Sequence, residues 1–140
     1  MSEPNAKKRI LFVCIENSNR SQMAEAFARM HGGDAVEAHS AGSRPSGKVN
    51  PRAVQFMTER GYDLTAHTSK SLDPFNGTDV AVAVTMGCGD YCPLVRADRR
   101  EDWNIPDPKD LPDDGFREVR DLIERKVKEL IASLASVPPV

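Results

Sequence analysis

Cys14 and Arg20 are separated by five residues, and Ser21 follows directly. A thiol and a guanidinium at that interval suit one kind of chemistry. Arg20 offers a planar, permanently charged fork that can hold two oxygens of an oxyanion at once. The same positive field favours a thiolate, and cysteines in such surroundings ionise more readily than a free thiol, whose pKa is ~8.5. Cys14 can then attack the central atom of the bound anion. The candidate oxyanion-binding stretch is Glu16, Asn17, Ser18, Asn19, Arg20 and Ser21. Asn17 can brace the loop in a strained turn, and the Ser21 hydroxyl can donate to the Cys14 sulfur. The plainer alternative makes Cys14 a core thiol, Arg20 a surface residue and Ser21 a helix cap.

Two further thiols, Cys88 and Cys92, complete the cysteine set. An odd number of cysteines with no export signal argues against a disulfide scaffold. A zinc site would need two more ligands, and no histidine lies near Cys88 and Cys92 in sequence. No metal is expected. Asp107 sits between Pro106 and Pro108 in a stiff acidic turn. His31, His39 and His67 are scattered and read as surface or core residues.

These groups need elements to hold them. Ile10 to Cys14 is a short continuous apolar run, as in a strand buried on both faces. A polar loop follows, then a helix from Gln22 to His31 with Met23, Ala24, Phe27 and Met30 on one stripe. Gly32 and Gly33 stop it. Val36 to Ala41 is a second strand. Asn50 caps a helix that begins at Pro51 and ends at Gly61. Asp63 to Ser71 is extended or looped. Residues 79–86 form the clearest strand, β-branched and apolar throughout. The Pro- and Asp-rich segment to about Asp114 is mostly loop, with a short edge strand around Trp103. Gly115 to Leu134 is a long amphipathic helix carrying Phe116, Val119, Ile123, Val127, Leu130 and Leu134 inward. Alternating strands and helices imply an α/β fold, an open parallel sheet with helices on both faces. Ligands of such sheets bind beyond the carboxyl ends of the strands. Cys14 and the Met86-Gly87-Cys88 segment both lie at such ends.

The 140 residues fit a single domain, with flexible tails at about 1–7 and 136–140. Net charge is −2, which does not favour nucleic acid or an anionic membrane as partner. No run is long enough to span a bilayer, and the short apolar run after the basic N-terminus is no signal peptide core. A cytoplasmic protein is expected.

The stretch from Cys14 to Glu25, with Arg20-Ser21-Gln22-Met23-Ala24-Glu25 at its end, resembles the signature of the low-molecular-weight tyrosine phosphatase superfamily, and most closely its arsenate reductase branch. Ser40-Ala41-Gly42, Gly61-Tyr62-Asp63-Leu64, Thr68-Ser69-Lys70, Val84-Thr85-Met86 and Pro106-Asp107-Pro108 extend the likeness along nearly the whole chain. The resemblance implies four parallel strands with flanking helices. It implies a catalytic set of Cys14, Arg20, Cys88, Cys92 and Asp107. Cys14 would attack arsenic, Cys88 would attack Cys14, and Cys92 would carry the oxidation outward as a Cys88–Cys92 disulfide. Asp107 would be the general acid. The resemblance implies no bound cofactor. The partners it implies are arsenate, with phosphate or sulfate as mimics, and an external thiol reductant: thioredoxin, or glutathione with a glutaredoxin-like protein. Lys70 stands where some relatives carry an aspartate that helps bind potassium, so no potassium requirement is expected. Glu16 brings a negative charge into the loop, and Asn19 is expected to face away from the ligand. Two other functions fit the same residues: a phosphomonoester hydrolase using Cys14, Arg20 and Asp107, and a non-catalytic oxyanion-binding protein. Aromatic residues that could hold a phosphotyrosine ring are sparse, Trp103 being the sole tryptophan.

Overall fold

The computed structural model describes residues 7–87 and 95–135. Four parallel strands form one sheet in the order β2-β1-β3-β4. They are β1 (Lys8–Cys14), β2 (Val36–Gly42), β3 (Asp79–Thr85) and β4 (Arg96–Asp102). Three α-helices, α1 (Arg20–Gly32), α2 (Pro51–Thr58) and α3 (Asp113–Ala135), make up the rest with three short 3-10 turns. The chain steps outward from β1 to β2 and returns to β3 on the other side of β1. That reversal puts the end of β1, and with it Cys14, at the switch point where such sheets take their ligands.

Alternation along β1 divides the core. Ile10 and Phe12 join Met23 and Phe27 of α1, Phe56 and Met57 of α2, and Phe116, Ile123 and Val127 of α3 in one cluster. Leu11 and Val13 point the other way, against Ala83, Leu72 and Val95. Among the described residues the three helices therefore share one face of the sheet. The other is covered by the segment around Leu72 and the 3-10 turn Asp73–Phe75. The sequence reading placed helices on both faces; on this second face the described cover is the short turn with Leu72.

The elements otherwise follow their sequence signals, with local differences. Asn50 caps α2, its side chain accepting the Arg52 N–H at 2.8 Å. Helix α1 is not a one-sided amphipath. Every residue from Arg20 to Ala28 is buried, because the helix lies between the sheet and α3, while Met30, expected in the core, is exposed. Helix α3 starts before Gly115, with Asp113 and Asp114 favourably placed in its first turn. The edge strand lies before Trp103 rather than around it. Its sequence, Arg96 to Asp102, is charged and lacks the apolar alternation of a strand, which suits an edge that must not recruit another chain. Trp103 itself packs into the core against Phe12, ring centroids 5.7 Å apart.

Candidate active site

The loop after β1 is shaped by what grips its carbonyls. Ile15 O accepts the Arg44 N–H at 2.8 Å, Glu16 O accepts the Ser46 N–H at 3.0 Å, and Ser18 O accepts the Asn50 N–H at 3.0 Å. Asn17 O accepts from Gln22 Nε2 at 3.0 Å. The Ser69 hydroxyl adds a second bond to Glu16 O. In a trans peptide the next N–H points opposite to the carbonyl, and the described chain has no cis peptide. Four carbonyls held outward therefore turn the N–H groups of Glu16, Asn17, Ser18 and Asn19 to the inner side. The start of α1 adds to them: its N-cap, Asn19, makes no side-chain cap bond, and its first turn holds no acidic residue. The result is a concavity suited to an anion.

Asn17 makes this curvature possible. Its φ of 51° lies in the left-handed region, where asparagine is among the few tolerated side chains. The side chain is buried and tied down. Asn17 Oδ1 accepts the Lys70 backbone N–H at 2.8 Å and Gln22 Nε2 at 2.9 Å. Gly42 closes the loop from below. A Cβ there would lie 2.5 Å from Ile15 O and 3.0 Å from Asn17 N, so only glycine lets β2 pass this close.

Cys14 is buried at the floor of a cavity of about 370 Å³ lined by Cys14, Ile15, Glu16, Ser18, Asn19, Arg20, Arg44 and Asp107. Its sulfur lies 2.8 Å from Ser21 Oγ, and Asn17 Nδ2 donates to the same oxygen at 2.8 Å. The Lys70 backbone N–H can only donate, so it fixes the Asn17 amide with its oxygen toward residue 70 and its nitrogen toward Ser21. The single proton of Ser21 is then left for the Cys14 sulfur. Such a donor can bond the sulfur as it takes on charge during the reaction.

Arg20 is buried too. Its Nη1 donates to Ile105 O at 2.8 Å and approaches Met86 O at 3.4 Å. Met86 O also accepts the Ile105 N–H at 2.7 Å. The arginine thus ties the ends of β3 and β4 to the loop, and this brings Asp107, two residues past Ile105, into the wall of the same cavity. Asp107 is exposed and accepts the Lys109 N–H at 3.0 Å. Glu16 is exposed, as solvent screening of its charge requires. Asn19 lines the cavity, with its Oδ1 buried and unpartnered among the described residues. Cys88 and Cys92 lie outside the described residues. The chain leading to them runs beside Cys14: Met86 N–H donates to Val13 O at 3.2 Å, and Gly87 follows with a φ of 97°.

A buried polar layer supports the loop from beneath. Glu25 accepts from Ser40 Oγ and from Arg29 Nη2, each at 2.6 Å, and the Lys70 ammonium lies 3.6 Å from it. His67 Nδ1 meets Gln22 Oε1 at 2.9 Å, and His67 Nε2 meets the Tyr62 hydroxyl at 2.6 Å. Burial holds His67 below the usual histidine range, with the Glu25 charge pulling the other way. Burial likewise raises the Tyr62 phenol, which stays protonated. The sequence reading missed Arg44, Ser46 and Asn50 as parts of the site, since they act on the loop through backbone N–H groups that any residue carries. Gln22 and His67 could have been found as polar residues at helix and loop positions facing the loop.

Comparison with known proteins fits this geometry. The family model for low molecular weight phosphotyrosine protein phosphatase matches residues 9–137. A glutaredoxin arsenate reductase of Synechocystis sp. is 37% identical over 131 residues, covering 91% of this chain and 99% of its own. An arsenate reductase of Staphylococcus haemolyticus is 36% identical, covering 87% and 95%. Among solved structures, an arsenate reductase in the phosphate-binding state superposes with a TM-score of 0.83 at 38% identity, covering 90% of this chain and 98% of that one.

Proposed function

The chain belongs to the low molecular weight phosphotyrosine protein phosphatase family, and from that premise we propose how its residues perform the reaction of its arsenate reductase relatives. The chain is an enzyme that reduces arsenate to arsenite. The hydrolase and non-catalytic alternatives are not favoured. The observation that carries the residue assignment is the Ser21 donor on the Cys14 sulfur, at the floor of a cavity lined by Arg20 and Asp107. Among the described residues the cavity lining is mostly polar and charged, which suits a small inorganic oxyanion.

Arsenate enters with its oxygens toward the inward amides and Arg20. The Cys14 thiolate attacks arsenic, forming an S–As bond. An oxygen leaves as water, its proton supplied by Asp107. Cys88 then attacks Cys14 Sγ. The S–As bond breaks with its electron pair passing to arsenic, which leaves as arsenite, and a Cys14–Cys88 disulfide remains. Cys92 attacks Cys88 in turn, freeing Cys14 and leaving a Cys88–Cys92 disulfide. An external dithiol, or a pair of small thiols, reduces that bond and restores the enzyme. Thioredoxin is one candidate. Glutathione with a glutaredoxin-like protein is the other, and the Synechocystis relative supports it. Both are kept reduced in the cytoplasm, where we place the enzyme. No helix among the described residues is long and apolar enough to cross a membrane.

The test is arsenate-dependent NADPH oxidation with thioredoxin and thioredoxin reductase, and in parallel with glutathione, glutaredoxin and glutathione reductase. Turnover with either couple, lost in Cys14→Ser and in Cys92→Ser, is expected. Full multiple turnover by Cys92→Ser would remove Cys92 from the path.

A further inference from the structure

Asparagine at a helix N-cap ordinarily spends its side-chain oxygen on the N–H groups of the first turn. Asn19, the N-cap of α1, does not: its side chain makes no cap bond. The residue is 6% exposed and lines the cavity that has Cys14 at its floor. Its Oδ1 is buried and meets no donor among the described residues. A buried acceptor without a donor is destabilising, so this atom calls for a donor from elsewhere.

The rest of the cavity offers mostly the opposite polarity. The inward amides of residues 16 to 19 and the side chains of Arg20 and Arg44 can only donate. The Ser18 hydroxyl can turn either way, and the carboxylates of the lining, Glu16 and Asp107, belong to exposed residues. Asn19 Oδ1 is the side-chain oxygen of the set that is buried and can only accept. Its donor can come with the ligand. Arsenate and phosphate both bring one. Near neutral pH each carries a hydroxyl beside its bare oxygens. The bare oxygens suit the amides and the guanidinium groups, and the hydroxyl suits an acceptor.

We infer that Asn19 is a specificity-determining residue whose Oδ1 accepts the hydrogen bond of the anion's hydroxyl, so that the site takes its substrate as hydrogen arsenate. This rests on the reading of the cavity as the arsenate site. The hydroxyl then has one place in the cradle, and the bare oxygens are left for the amides and Arg20. Sulfate has the same tetrahedral shape and no proton to give, so it leaves Asn19 unmet.

The test measures binding of inorganic phosphate and of sulfate to the reduced full chain by calorimetry. Mildly alkaline buffer is used, where phosphate is a dianion with one proton and sulfate a dianion with none. Cys14, Arg20, Arg44, Glu16 and Asp107 meet both dianions with the same charge, so the ratio of the two affinities cancels them. Asn19→Leu keeps the bulk of the side chain and removes the acceptor. It should weaken phosphate roughly fivefold to tenfold and sulfate by less than about twofold. Asn19→Asp keeps an acceptor and adds a charge. Both anions should then bind more weakly, with the preference for phosphate kept or raised. An equal loss of both anions in the leucine variant is what an altered loop, or an amide that donates, would give, and it would overturn the proposal. If the leucine variant does not fold, Asn19→Ala decides by the same ratio. The arsenate-site reading fails on a different result, phosphate that binds the native chain without competing against arsenate in the reduction, so the two failures are told apart.

Discussion

Ser21 Oγ stands 2.8 Å from the Cys14 sulfur with its proton free for nothing else. The Asn17 amide nitrogen fills one acceptor site on that oxygen, and the backbone N–H of Lys70 decides which way the amide faces. The direction of that hydroxyl is thereby set by a main-chain group 53 residues from Asn17 along the chain.

Ser21→Ala removes that donor while leaving the cradle amides in place. A hydrogen bond to a charged group contributes about 1.5–3 kcal/mol, so kcat/KM for arsenate should fall roughly tenfold to a hundredfold. Inhibition by phosphate should change little. Steady-state kinetics with phosphate as competitor measures both.

Gly42→Ala attacks the loop from the other side. The new Cβ would meet Ile15 O at 2.5 Å and Asn17 N at 3.0 Å, both main-chain atoms that cannot swing aside. We expect a loss of about 1–3 kcal/mol of stability and a larger loss of anion binding. Thermal melts with and without phosphate separate the two effects. The native protein should gain in melting temperature with phosphate, and the variant should not.

Arg44 contributes twice, and the contributions can be separated. Its N–H holds Ile15 O, which any residue there would do, while its side chain adds a positive charge to the cavity wall. Arg44→Ala should raise KM for arsenate roughly threefold to fivefold with kcat unchanged, the effect of about 1 kcal/mol between partly solvated charges. Glu16→Gln should lower KM. Both shifts should shrink in 0.5 M salt, and shifts that salt leaves untouched would point to altered loop shape instead.

How much of this was legible in the sequence depended on locality. Cys14 ends a buried strand and Arg20 and Ser21 open the helix that follows the loop, so their spacing and context were enough to mark a candidate oxyanion site. Lys70, Arg44, Ser46 and Asn50 shape the same loop through main-chain N–H groups, which leave no mark in a side-chain pattern. Strand β4 was expected around Trp103 and lies before it, for a related reason. An edge strand with water along one side can be built of Arg96, Asp98, Arg99 and Arg100, and its pairing with β3 is a property of the sheet. Helix α1 hid its environment as well. Gln22 and Glu25 look like a solvent face, yet they are buried because they serve the loop and the layer under it.

The junction of α2 with α3 gives a prediction in pH. Glu59 accepts from Arg117 and Arg120, and these bonds, Arg117 first, hold its carboxyl at about 2 against an ordinary value of 4.5. The folded form therefore takes up this proton later than the unfolded form as acid is added. The stabilisation is complete above about pH 4.5 and fades as pH falls toward 2. Glu59→Gln should flatten the dependence of melting temperature on pH within that window and leave it unaltered near neutrality. Because the group is exposed, the effect should be modest and weaker in salt.

The outward grip on the carbonyls of residues 15 to 18 means that the cradle exists before any anion arrives. The loop itself has no closing to do, so its own fit cannot weigh arsenate against phosphate, which has the same shape and nearly the same size. The two part ways only after entry. A thiol does not reduce phosphorus(V), whereas arsenic(V) takes the electron pair of its S–As bond and leaves as arsenite. The enzyme therefore sorts by fate: phosphate comes and goes unchanged, arsenate is consumed. Its pace in a cell follows the ratio of the two anions more closely than the amount of either.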